Sequence, residues 1–141
     1  MAAIYTPLLW LHFVAIGLGG AATFGSAIVG ARARGAPPEL RPHFLAIVSR
    51  LSAAGTMGLA LLLLTGPLMI WIAGGTGADP LWFWAKMAFV ALLVAAVIFS
   101  RRNLASMREG DADATARAPK IGMVIRFAYL GVLALAVLAF H

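Results

Sequence analysis

His12 lies in the first of four long apolar runs, and Lys86 lies at a matching depth in the third. An ionisable group in lipid is costly, roughly 2.5 kcal/mol or more for a charged side chain at a helix centre, so it ordinarily faces a bundle interior or a ligand. A neutral imidazole nitrogen can ligate a metal, and an ammonium nearby can pair with an anionic group on the same ligand. On a helix, the residues three, four, seven and eight positions beyond His12 are Ala15, Ile16, Gly19 and Gly20, with Thr23 one turn further. That face offers an imidazole above a strip nearly free of side chains. A flat macrocycle lying on the strip, with His12 as axial ligand to its metal, fits this pattern.

Each residue has a structural reading beside the chemical one. Gly17-xxx-Ala21-xxx-Gly25 has the small-residue spacing that lets membrane helices touch, and His12 can be held by a hydrogen bond to a neighbouring helix. Lys86 either snorkels outward between Trp82 and Trp84 or faces the bundle and pairs with an anion such as a haem propionate. No Asp or Glu lies within any apolar run, and Asp79 stands at the very edge of one. A haem iron here is either five-coordinate or takes a second axial ligand from Met69, near the outer end of the second run, from the less well placed Met87, or from a partner chain. Copper is the alternative metal, because Cu(I) favours Met and His, but six scattered methionines make no relay. His43 is separated from His12 by most of the bilayer and cannot share its metal. Arg50 and Arg126 each fall about one turn inside the inner boundary of runs two and four, where they reach leaflet phosphates or form a second anion site between those helices. Tyr129 shares the face of Arg126.

The elements that carry these residues follow from composition. Of 141 residues 62% are hydrophobic and 11% charged, too little polar surface to coat a soluble domain. The apolar runs, about 8–30, 45–73, 81–100 and 121–140, each approach or exceed the ~20 residues needed to cross a bilayer. An all-α, integral membrane four-helix bundle is expected, one domain over residues 1–141. The first run is preceded by no Lys or Arg, so it is read as a retained span rather than a removable signal peptide. The absence of cysteine excludes disulfides and thiolate metal sites.

The net charge of +6 is explained by loop placement and implies no nucleic-acid partner. Arg32, Arg34 and Arg41 follow the first run, and Arg101, Arg102, Arg108, Arg117 and Lys120 follow the third; the opposite ends carry no Lys or Arg. The positive-inside rule then places both basic loops in the cytoplasm and both termini outside, in a bacterial-type inner membrane. Trp10, Trp71, Trp82 and Trp84 all fall at the predicted outer boundary, as an aromatic belt would. The segment from Arg101 to Lys120 lacks apolar periodicity and reads as a mobile linker. The halves also carry related patterns: Pro7 precedes His12 much as Pro80 precedes Lys86, and Pro42 precedes Arg50 as Pro119 precedes Arg126. A parallel repeat about the membrane normal would produce this.

Leu11-His12-Phe-Val-Ala-Ile-Gly-Leu-Gly-Gly20 resembles the leucine-histidine helix and glycine pair of CopD-type copper-resistance membrane domains and HemJ-type protoporphyrinogen oxidases. Leu81-Trp-Phe-Trp-Ala-Lys86 is similar to their third span, and Ser-Arg-Arg-Asn103-Leu to its exit. The resemblance implies a bundle that binds haem b or handles copper, with His12 as the helix-one histidine and Lys86 as the helix-three lysine. Two features of those families are missing: a tryptophan about two turns after the histidine, where Gly19 stands, and an Asn-Glu-Pro-like segment near the last helix.

These residues lead to one expectation and two alternatives. The first is a haem-like cofactor bound through His12, bedded on Gly19 and Gly20 and paired with Lys86, with Met69 as candidate sixth ligand, for electron transfer or tetrapyrrole oxidation. The second is a cofactor-free accessory subunit that packs against a homo-oligomer or a larger membrane complex, and the third is a copper-handling membrane protein.

Overall fold

A computed structural model describes residues 2–139. It consists of α1 (Ala2–Arg34), α2 (Arg41–Ile72), α3 (Pro80–Arg108) and α4 (Ala112–Ala139), with no strand among the described residues. All four helices are long and apolar enough to cross a membrane, and together they form an all-α four-helix bundle. Phe13, Ile28, Leu64 and Phe127 turn outward, each more than 60% exposed. Apolar surface of this extent suits contact with lipid rather than water. Phe140, the end of the fourth expected span, and His141 lie outside the described residues.

The helices extend past the apolar runs. The 33 residues of α1 rise about 50 Å at 1.5 Å per residue, well beyond the ~30 Å of hydrocarbon, so the basic ends continue as helix outside the apolar zone. The largest correction concerns residues 101–120, which are helical apart from a short turn. Helix α3 runs to Arg108, Gly110 reverses the chain at φ +87, and Asp111 caps α4 by accepting from the backbone N–H of Asp113 and Ala114 at 2.9 and 3.2 Å. Alanine-rich sequence needs no apolar periodicity to stay helical once capped. Asn103 locks the turn: its amide donates to the Ala114 carbonyl at 2.8 Å and its oxygen accepts from Arg117 Nε at 3.3 Å. At the opposite end Asp79 caps α3 by accepting from Leu81 and Trp82 N–H, with Pro80 at the helix start.

Helices α1 and α2 pack as one antiparallel hairpin and α3 and α4 as another. In the first hairpin the close approach is made by Ala15 and Ala22 against Gly58 and Gly55. A Cβ on Gly58 would stand 2.8 Å from the Ala15 carbonyl oxygen, and one on Gly55 would stand 2.7 Å from the Ala22 Cβ. The expected Gly17-xxx-Ala21-xxx-Gly25 stripe is therefore not the contact ridge. Gly17 and Ala21 are exposed, and only Gly25 meets a partner, Leu51. In the second hairpin the Phe89 ring lies flush against Gly131.

The hairpins are joined through Tyr129, which with Leu59, Leu93 and Ala128 forms the buried cluster of the bundle. Its hydroxyl donates to the Ile16 carbonyl at 2.8 Å, and its ring meets Phe24 edge-on at 6.4 Å between centroids. Toward the basic ends of the helices a partly open cavity of about 660 Å³ lies between the hairpins.

Candidate functional site

His12 and Thr65 come together because α1 and α2 are antiparallel, so a residue near the start of one faces a residue near the end of the other. Thr65 is buried, at 3% exposure, and its Oγ1 lies 2.7 Å from His12 Nδ1. The same hydroxyl donates to the Leu61 carbonyl at 2.7 Å. A hydroxyl has one proton and two lone pairs, and with that proton on Leu61 it must accept from His12. The imidazole therefore carries its proton on Nδ1 and presents Nε2 as a bare acceptor. A metal-ligating histidine has this arrangement, its distal nitrogen held by a hydrogen bond that fixes both tautomer and ring orientation.

The backbone beside this pair is shaped for it. A Cβ on Gly66 would come within 3.8 Å of the His12 ring, so the glycine leaves the imidazole room. Pro67, next in sequence and inside α2, lacks the N–H that would bond to the Leu63 carbonyl, which loosens the helix there.

Lys86 reaches the same region from the other hairpin. It is half-buried, and its Nζ stands 5.4 Å from the centroid of the Phe83 ring. Trp82 and Trp84, between which it would emerge in the snorkelling alternative, are exposed, as are Trp10 and Trp71. The Phe83 ring belongs to the preceding turn of α3 and is itself half-buried, and the cation–π contact supports the ammonium's charge in an apolar setting. Met69 is half-buried one turn beyond Thr65, which puts it on the helix face that meets α1. His43 is exposed at the basic end of α2, far along the helix from Thr65.

Gly19 and Gly20 have a different occupant from the one expected. A Cβ on Gly19 would lie 3.3 Å from Tyr129 Cε2, and one on Gly20 would lie 2.9 Å from Tyr129 Oη. The glycines admit the tyrosine ring and expose the Ile16 carbonyl to its hydroxyl, so the side-chain-free strip is filled by protein. Any ligand on His12 Nε2 must sit elsewhere on that histidine's surroundings. Arg50 and Arg126 are likewise not brought together: Arg50 is exposed, whereas Arg126 lines the cavity between the hairpins.

Sequence reasoning missed Thr65 and the role of Tyr129. Among the described residues no group of three His, Cys, Asp or Glu side chains is placed to hold a metal ion. A bare metal would find His12 and at most a thioether here, whereas a macrocycle that brings its own four nitrogen donors needs only one or two protein ligands. The chain matches no protein-family model, no curated protein and no solved structure.

Proposed function

We propose that the bundle binds a haem-like cofactor at its tryptophan-rich end, with His12 as axial ligand through Nε2 and Lys86 as partner to an anionic substituent such as a propionate. The observation that carries this reading is the Leu61–Thr65–His12 hydrogen-bond chain, which leaves the ligating nitrogen deprotonated without help from solvent. The cofactor would supply one-electron chemistry, for electron transfer or tetrapyrrole oxidation. The chain's own residues do the rest. Thr65 fixes the imidazole ring, Gly66 gives it clearance, and the charge of Lys86 together with the apolar surroundings sets the electrostatic environment of the site.

Met69, or a residue of a second chain, is the source of any sixth ligand. The resemblance to the CopD-type and HemJ-type proteins supports the same reading, and the distribution of Lys and Arg supports an inner-membrane placement with the basic loops in the cytoplasm.

The packing of Tyr129 on Gly19 and Gly20 favours a second reading, in which those glycines serve helix contact alone and the chain is a cofactor-free subunit of a larger membrane assembly. Visible absorption separates the two. Protein expressed with ample haem and purified in detergent is expected to show a Soret band that His12→Ala removes or shifts. If the wild type is colourless and binds no haem when titrated, the second reading takes over. Stoichiometric copper on such a haem-free sample would instead point to copper handling.

A further inference from the structure

The cavity between the hairpins has a chemistry of its own, unrelated to His12. It begins at the buried cluster of Leu59, Leu93 and Tyr129, where Leu62 and Val97 add to an apolar dome. It extends to the basic ends of the helices, where Arg34 and Arg41 stand at its margin. Arg126 lines it between these levels, and its guanidinium folds back one turn along α4 so that Nη1 is 3.4 Å from the Cβ position of Gly122. Three arginines, from α1, α2 and α4, thus line the cavity, with no carboxylate among the described residues that line it.

Guanidinium groups bind phosphate in fork-like pairs of charge-assisted hydrogen bonds. An inorganic anion would meet the arginines but leave the dome bare. A membrane-soluble apolar molecule would fill the apolar part and leave the arginines of the lining without an anion. Both needs are met by one amphiphile that enters tail-first from the leaflet bordering the basic loops. At about 660 Å³ the cavity lies within the ordinary range of ligand sites, ~300–1,000 Å³. We propose that this cavity is a selective site for an anionic phospholipid of that leaflet, its phosphate held by Arg126 with Arg34 and Arg41 and one acyl chain lying in the apolar dome.

Native mass spectrometry of the full chain in detergent tests this, with dioleoylphosphatidylglycerol and dioleoylphosphatidylcholine as probes and glycerol 3-phosphate as competitor. One phosphatidylglycerol should be retained in preference to phosphatidylcholine. Arg126→Gln should lower its retention by at least about fivefold, given roughly 1 kcal/mol per arginine at a lipid phosphate, and Arg126→Lys should restore part of it. Ala27→Trp, which fills the cavity from α1 with every charge intact, should abolish retention and carries the test alone if Arg126→Gln does not fold. Equal retention of the two lipids, retention unchanged in Ala27→Trp, or displacement of the lipid by equimolar glycerol 3-phosphate would overturn the proposal.

Discussion

The hydroxyl of Thr65 stands 2.7 Å from His12 Nδ1 and gives its own proton to the Leu61 carbonyl, so a threonine on α2 dictates which nitrogen of a histidine on α1 is free. Threonine in a membrane helix commonly bonds its own preceding turn. Here that habit makes it an obligate acceptor. Two positions 53 residues apart thereby become one unit.

Thr65→Val keeps the branched shape and removes the acceptor, which releases the His12 ring. Cofactor affinity should fall about tenfold, the lower end of what loss of an outer-shell partner to a ligating histidine costs. Thr65→Ser should retain it. Equilibrium titration of the purified variants measures both, and a Thr65→Val protein with wild-type affinity would separate the hydrogen bond from ligand binding.

The contact between α1 and α2 is set by Gly58 and Gly55. Gly58→Leu should destabilise the bundle by about 2 kcal/mol or more, since the new side chain must displace the backbone of α1 at Ala15. Gly17→Leu, on an exposed face, should leave stability within about 0.5 kcal/mol. Denaturant unfolding followed by circular dichroism would show equal losses if the helices instead met along the Gly17 stripe.

Gly20→Ala places a methyl group against Tyr129 Oη and should cost about 1–2 kcal/mol. In a Tyr129→Phe background, where the hydroxyl is gone, the same change should cost distinctly less. A double-mutant cycle on unfolding free energies reads that coupling; additive values would show that the hydroxyl and the glycine do not meet.

Asn103→Ala removes the clamp across the α3–α4 turn and leaves the buried Ala114 carbonyl without its side-chain donor, a loss of about 1–2 kcal/mol. Backbone amides between Asp111 and Ala118 should exchange hydrogen faster in the variant, as local opening becomes easier. Unchanged protection there would assign the order of the turn to the Asp111 cap alone.

The four helices and their order were legible in the sequence because apolar runs of bilayer length admit few other folds. The exposed tryptophans agree with an aromatic belt at one end. Helix ends were less legible. The Ala-Asp-Ala-Thr-Ala-Arg stretch looks like a linker by composition, and its helical state depends on the cap at Asp111 and the clamp from Asn103, eleven residues upstream of its partner. His12 and Lys86 were identifiable because ionisable groups stand out against apolar sequence. Their surroundings were not, since helix rotation decides which of many small residues face inward. Ala15 and Ala22 carry the contact ridge that Gly17 and Ala21 were expected to carry, and Tyr129 fills the strip read as a bed for a ligand. Thr65 gave no signal, because nothing in its sequence context separates a threonine that bonds only its own helix from one that also holds a histidine.

The most direct test of ligation is chemical rescue at the axial position. His12→Gly should lose the Soret band of haem-loaded wild-type protein, and free imidazole added to the purified variant should restore it, because the added base takes the place of the missing ring. A His12→Gly protein whose spectrum matches the wild type without imidazole would contradict the account, since the iron would then be held by another residue.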